Sequence, residues 1–126
     1  MKFNLKELIV TALVYLTIDI TYIKMNISMF KKYFAFIQGS PANFKQNGAV
    51  MAYIILTLGL YYFIIKDKRS IMDAFLLGLF IYSVYDLTNY ATLKKWTIAF
   101  SIKDTIWGGT VFAASTFIIY EILKKI

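Results

Sequence analysis

The sequence predicts an all-α, polytopic membrane protein with four transmembrane helices in an up-down bundle. Hydrophobic residues make up 60% of the 126 residues, and the mean hydropathy is +0.63. A soluble domain is usually about 45–50% apolar, even when glycine is counted. One small core cannot bury this excess, so we expect lipid to be the solvent. Four hydrophobic runs, each bounded by charge, are near the roughly 20 residues that a helix needs to cross a bilayer.

The four spans follow one another with short breaks. They are predicted at about residues 8–28, 45–65, 71–93 and 102–124. Charged or turn-forming stretches separate them at residues 39–41, 66–69 and 94–95. No stretch is long enough for a second domain, so residues 1–126 are expected to form a single four-helix transmembrane domain.

The predicted helix starts carry capping signals. A capping residue stands three positions before a carboxylate in Asn4–Glu7, Ser70–Asp73 and Ser101–Asp104. Ser40-Pro41 is a further candidate start, with serine as the N-cap and proline at the first helical position. The first span is expected to be retained and not cleaved as a signal peptide, because Asp19 interrupts it and no small-x-small cleavage site follows.

Composition excludes several kinds of chemistry. The chain has no cysteine and no histidine, which rules out disulfides and imidazole ligands, so we predict no cofactor and no metal site. Any proton chemistry falls to carboxylates, tyrosines or lysines. The net charge is +7, and the lysines punctuate hydrophobic runs, which is typical of contact with a lipid bilayer and not with nucleic acid. Four spans place both termini on one side, but seven basic residues fall on each side, so that side is not determined.

The first span carries a polar stripe. Thr11, Tyr15, Asp19, Tyr22 and Asn26 are spaced 4, 4, 3 and 4 residues apart, which places them on one helical face. An ionisable residue in mid-span costs about 2.5–3.5 kcal/mol on insertion scales. The stripe must therefore face other helices or a water-filled cleft. It forms either a structural hydrogen-bond seam or part of a functional site.

Two further spans contribute polar residues toward the side opposite the termini. Tyr82, Asp86 and Asn89 share a face of the third span, and Asp104 opens the fourth, with Trp107 one turn later. Asp104 could instead simply close a capping box with Ser101. Together these positions predict one polar pocket that opens toward that side. The candidate residues for binding an ion, a proton or a ligand are Asp19, Tyr22, Tyr82, Asp86, Asn89, Asp104 and Trp107.

Small residues predict close helix packing in two places. They are Gly108, Gly109, Ala113 and Ala114 in the fourth span, and Gly48, Ala52 and Gly59 in the second. These residues could serve packing within the bundle or an interface between subunits.

The third and fourth spans also carry a family resemblance. The run Tyr85-Asp86-Leu87-Thr88-Asn89-x-Ala91-Thr92-Leu93-x-x-Trp96, followed by Asp104-x-x-Trp107-Gly108, resembles the small predicted membrane proteins of domain of unknown function 2177. That family commonly has Leu-Asp-x-x-Trp-Leu in its first helix, where this chain has Ile18-Asp19-Ile20-Thr21-Tyr22-Ile23. Lys103 stands where the family usually has an apolar residue. The resemblance implies four spans and the acidic positions, and it implies no chemical activity.

Three functions fit these observations. The leading hypothesis is a small membrane protein that binds or translocates a proton, a small cation or another small solute through the acidic pocket, as a homo-oligomer. The second is a membrane-embedded enzyme acting on a lipid or isoprenoid, with Asp86 and Asp104 as acid and base. The third is a structural membrane protein whose polar seam fixes the helix register.

Overall fold

The computed structural model describes residues 2–126, which form five α-helices. They are α1 (Leu5–Met25), α2 (Ile27–Gln38), α3 (Gln46–Leu60), α4 (Ile71–Thr92) and α5 (Ile98–Lys125), and a π-helical turn at Tyr61–Ile65 extends α3. Four of these segments are long and apolar enough to cross a membrane: Leu5–Met25, Gln46–Ile65, Ile71–Thr92 and Ile98–Lys125. The predicted all-α fold with four candidate spans is therefore confirmed, although α5 begins four residues earlier than expected.

Helix α2 was not predicted. It begins one residue after α1 and ends at Gly39, whose φ of +76° is the left-handed conformation that favours glycine at a helix end. Its lysines Lys31 and Lys32 are exposed, whereas Tyr33 and Phe34 are half-buried. Twelve residues span only about 18 Å, and the segment has two distinct faces. An amphipathic surface helix has no continuous hydrophobic run, so the pattern that predicts membrane spans does not reveal it.

The predicted helix starts are partly confirmed. Asn4 Oδ1 accepts a hydrogen bond from the Glu7 amide at 3.1 Å, and Ser70 Oγ accepts one from the Asp73 amide at 3.0 Å. The capping box at Ser101 is wrong. Thr97 is the N-cap of α5, where its Oγ1 accepts from the Phe100 amide at 3.1 Å. Ser101 lies one turn inside α5, which leaves its neighbour Asp104 without a capping role.

The region before α3 also differs from the expectation at Ser40-Pro41. These residues lie in a non-helical stretch, and α3 begins at Gln46. The Gln38 side chain donates to the carbonyl oxygens of Ser40 and Pro41, at 3.1 and 2.6 Å. The stretch therefore returns the chain from α2 to the second span.

Helices α4 and α5 pack most closely, and α1 lies against both α5 and α3. A Cβ atom at Gly78 would meet the Gly108 carbonyl, and one at Gly109 would lie 2.8 Å from Phe75 Cε1. Close approach at Gly108 and Gly109 is thus confirmed. By contrast, an added Cβ at Gly48 or Gly59 would have no atom within 4 Å, so these two glycines do not serve packing within the chain.

Contacts between helix ends define two ends of the molecule. At one end, the Asn4 amide donates to the Tyr61 hydroxyl at 2.7 Å, and the Tyr120 hydroxyl donates to the Arg69 carbonyl at 2.6 Å. We call this the terminal end. At the other, the Thr97 amide donates to the Tyr33 hydroxyl of α2 at 2.9 Å. We call this the α2 end.

Candidate functional site

The polar stripe of α1 faces the other helices. The buried residues of α1 are Thr11, Tyr15 and Asp19, each at most 5% exposed. Tyr22 continues the stripe and stacks on Trp107, with ring centroids 3.9 Å apart. Asn26 ends it, because its side-chain amide donates to the Tyr22 carbonyl of the preceding turn at 2.9 Å.

Asp19 joins three helices. Its Oδ1 accepts a hydrogen bond from Trp107 Nε1 of α5 at 2.8 Å, and its Oδ2 accepts one from the Tyr53 hydroxyl of α3 at 2.7 Å. Both carboxylate oxygens therefore have donors, although the residue is only 5% exposed. Trp107 was among the predicted site residues, whereas Tyr53 was not, because a lone tyrosine in an apolar span has no local pattern that distinguishes it.

Asp86 and Asp104 form a second arrangement, which we call the carboxyl pair. Their carboxyl groups lie close enough in the interior to influence each other. Asp86 is fully buried; its Oδ2 accepts a hydrogen bond from Thr105 at 3.3 Å, and its Oδ1 has no hydrogen-bond partner among residues 2–126. Thr105 was not predicted, because a threonine beside an aspartate in a helix gives no sequence signal of its orientation.

A tyrosine pair lies one helical turn from the aspartates of α1 and α4, toward the terminal end. The hydroxyls of Tyr15 and Tyr82 are 2.9 Å apart. Tyr15 precedes Asp19 by one helical turn, and Tyr82 precedes Asp86 by one turn. The hydroxyl groups of α1 and α4 thus meet inside the bundle, on the side of the aspartates that faces the terminal end.

Asn89 has a more peripheral position than the other candidates. It follows Asp86 by three residues on α4, is half-buried, and lies beside the Tyr85 side chain. It therefore shares the predicted helical face, but it is less enclosed than Asp86.

The carboxyl pair adjoins the α2 end. The Ser101 hydroxyl donates to the Asp86 carbonyl at 3.2 Å and accepts from Trp96 Nε1 at 2.9 Å. Asp104 is partly exposed, whereas Asp86 is not exposed at all. Asp104 is thus the member of the pair that the surroundings can reach. That these residues bind a ligand in an open pocket stays a prediction.

Four long apolar helices that bury several polar side chains beside an apolar core define the class: the chain is an integral, multi-pass membrane protein. A family of predicted membrane proteins, defined by domain of unknown function 2177, matches residues 4–120. The chain belongs to this family, as the pattern from Tyr85 to Gly108 indicated. No curated protein and no solved structure matches the chain significantly.

Proposed function

We propose that this protein binds a proton at the Asp86–Asp104 carboxyl pair and translocates it across the membrane. One observation carries the proposal: Asp86 Oδ1 is buried without a donor, beside a second carboxyl group. Two carboxylates that share a buried site repel each other, and a buried charge is costly without a partner. A proton held between the two side chains would supply the missing donor and remove the repulsion.

The composition of the site favours a proton over a divalent metal ion. Residues 2–126 contain no group of three or more acidic side chains placed to hold a metal ion. Calcium usually takes about 6–8 oxygen ligands, whereas two carboxyl groups suffice to share one proton. A small monovalent cation is the alternative occupant of the same pair.

Buried hydroxyl groups beyond the carboxyl pair support translocation over simple binding. The Tyr15–Tyr82 pair lies on the terminal side of the aspartates. Farther along α5, the hydroxyls of Ser115 and Thr116 are fully buried and have no hydrogen-bond partner. Ser115 follows Asp104 by 11 positions, which is about 16 Å at 1.5 Å per residue. These groups offer proton-transfer positions, with water, toward the terminal end.

Asp19 has a different role in this proposal. Its two oxygens already accept hydrogen bonds from Tyr53 and Trp107, so it needs no proton to satisfy them. We assign it to positioning: it holds α1 and α3 against α5, and fixes Trp107 one turn beyond Asp104.

We also propose that the protein is a homo-oligomer. The small residues Gly48 and Ala52 lie on an exposed face of α3, and Gly59 has open space beside it. Such residues let helix backbones approach closely in lipid. A second copy packed on this face would use them. Cross-linking of single-cysteine variants at position 48 or 52, in vesicles at low protein density, tests this assembly.

The test of translocation is proton flux into liposomes that contain a pH-sensitive dye, driven by a potassium diffusion potential. We expect flux with the natural protein, and at least a tenfold loss with Asp86→Asn and with Asp104→Asn. Asp73→Asn is the matched control, because Asp73 lies at the start of α4 at the terminal end and pairs with Arg69 at 2.9 Å. Absence of flux in the natural protein, or equal flux in all variants, would overturn the proposal.

A second candidate function is that of an enzyme acting on a lipid or isoprenoid. Asp86 and Asp104 lie close together, so one could act as the acid and the other as the base. Expression of the protein would then change the lipid extract of the host. An extract that is the same with the natural protein and with Asp86→Asn would count against it.

A further inference from the structure

The two ends of the molecule differ in how their charges are balanced. At the terminal end, basic side chains have acidic partners: Lys66 pairs with Asp67 at 3.4 Å, Arg69 with Asp73 at 2.9 Å, and Lys124 with Glu121 at 3.2 Å. The basic residues there are Lys2, Lys6, Lys66, Lys68, Arg69, Lys124 and Lys125, and the acidic ones are Glu7, Asp67, Asp73 and Glu121. That end therefore has a net charge of +3, and its four acidic residues offset more than half of the basic charge.

At the α2 end, the lysines have no acidic partner among residues 2–126. All seven are exposed: Lys24, Lys31, Lys32, Lys45, Lys94, Lys95 and Lys103. The sequence contains no acidic residue in 24–45 or in 90–103. The acidic residues that flank these segments in the sequence are Asp19, Asp86 and Asp104 of the candidate site, of which only Asp104 is partly exposed. Within residues 2–126, the α2 end thus presents seven exposed lysines and a single partly exposed carboxyl group, that of Asp104.

Aromatic contacts hold these lysines on one surface. Tyr33 of α2 stacks on Phe100 with centroids 4.2 Å apart, and it also contacts Trp96 edge to face at 5.4 Å. Lys95 Nζ lies 5.2 Å from the centre of the Phe36 ring, also on α2. Helix α2 is therefore fixed to the α4–α5 connection, and its lysines share a surface with Lys94 and Lys95.

The position of α2 places this surface at a membrane boundary. Helix α1 has 21 residues, which is about 31 Å and close to the hydrocarbon thickness of a bilayer. Only Asn26 separates it from α2, so α2 lies where the first span leaves the hydrocarbon. Because Tyr33 of α2 packs on Phe100 and Trp96, the exposed lysines of α2 remain available to the headgroup region.

We propose that the lysines of the α2 end dock on the phosphates of anionic lipid headgroups, and that the protein selects anionic over zwitterionic lipid at this end. Each lysine near an anionic membrane surface contributes about 1 kcal/mol. Phosphatidylglycerol supplies a phosphate with net negative charge, whereas phosphatidylcholine supplies a phosphate neutralised by its own ammonium group. The cationic surface of the α2 end is therefore complementary to phosphatidylglycerol. This inference does not depend on proton transport.

Tryptophan fluorescence gives a direct test, since the two tryptophans of the chain, Trp96 and Trp107, both lie toward the α2 end. The full chain is reconstituted in vesicles with brominated phosphatidylglycerol or brominated phosphatidylcholine as the quencher. We expect the relative affinity for the anionic lipid at low salt to exceed that for phosphatidylcholine at least about fivefold, the factor that about 1 kcal/mol gives.

A charge-matched pair of variants distinguishes local docking from net charge. The first variant replaces Lys31, Lys32, Lys94 and Lys95 by glutamine, and the control replaces Lys2, Lys6, Lys124 and Lys125. In the first variant, we expect the ratio of the affinities for phosphatidylglycerol and phosphatidylcholine to fall close to one. In the control, we expect this ratio to keep at least half of its value in the natural protein. Inorganic phosphate, compared with sodium chloride at equal ionic strength, should not compete.

The inference is overturned if the natural protein shows no preference, if both variants lose it equally, or if free phosphate abolishes it. Proton flux measured in phosphatidylcholine vesicles is a separate readout, so either proposal can fail alone.

Discussion

Replacement of Asp19 tests whether the interior is held together by its hydrogen bonds. In Asp19→Ala, the Tyr53 hydroxyl and Trp107 Nε1 lose an acceptor that now lies at 2.7 and 2.8 Å. Hydrogen bonds between membrane-embedded side chains are worth about 0.6 kcal/mol on average and about 1.7 kcal/mol at most. Two of them, left as unpaired buried donors, predict a loss of about 1–3 kcal/mol in the free energy of unfolding.

Asp19→Asn should behave differently. The amide oxygen can accept from Trp107, and the amide nitrogen can donate to the Tyr53 oxygen, so both contacts survive in a neutral form. Loss of the buried charge also removes its desolvation cost. We therefore expect the free energy of unfolding to change by no more than about 1 kcal/mol. Two membrane-buried hydrogen bonds can contribute more than that.

The assay is reversible unfolding in mixed micelles of dodecylmaltoside and dodecylsulfate, followed by tryptophan fluorescence. The matched control is Thr17→Ala, because Thr17 lies two residues before Asp19 on the exposed face and bonds only to the Leu13 carbonyl of its own helix. A Tyr53→Phe change should cost free energy in the natural protein and nothing in Asp19→Ala. If Asp19→Ala is as stable as Thr17→Ala, Asp19 does not hold the helices together and our assignment of its role is wrong.

Three further predictions concern packing, the carboxyl pair and the α2 end, all measured by the same unfolding assay. Gly108→Ala should destabilise the protein by about 1–3 kcal/mol, because the added Cβ forces α4 and α5 apart. The control, Gly48→Ala, should be neutral or slightly stabilising. Equal effects of the two substitutions would contradict the observed packing. Asp86→Asn should leave stability unchanged or raise it, since an amide can donate to the neighbouring carboxylate, and a loss above about 1 kcal/mol would instead indicate a structural role. Trp96→Phe should cost about 1 kcal/mol through loss of its 2.9 Å bond to Ser101, and no change would show that the bond contributes nothing.

Much of the fold was predictable because lipid imposes simple rules on sequence. A span must be apolar and about 20 residues long, so the four hydrophobic runs gave the four long helices within a few residues. Helix α2 escaped this rule, because its aromatic face packs on the protein and its lysines face outward. Thr97 is the N-cap of α5 in place of Ser101, although serine is the better capping residue, because both types can cap and the path of the chain decides between them.

Of the candidate site, the sequence by itself determined which side chains must avoid lipid. Helical periodicity placed Thr11, Tyr15 and Asp19 on one face, and those are the residues that α1 buries. Periodicity within one helix carries no information about its neighbours, however. Only the tertiary structure decided that Asp19 meets Tyr53 and Trp107, because that depends on how each helix rotates and slides against the others. The same packing leaves Asp86 Oδ1 without a donor beside Asp104, which is the physical basis of the proposed function.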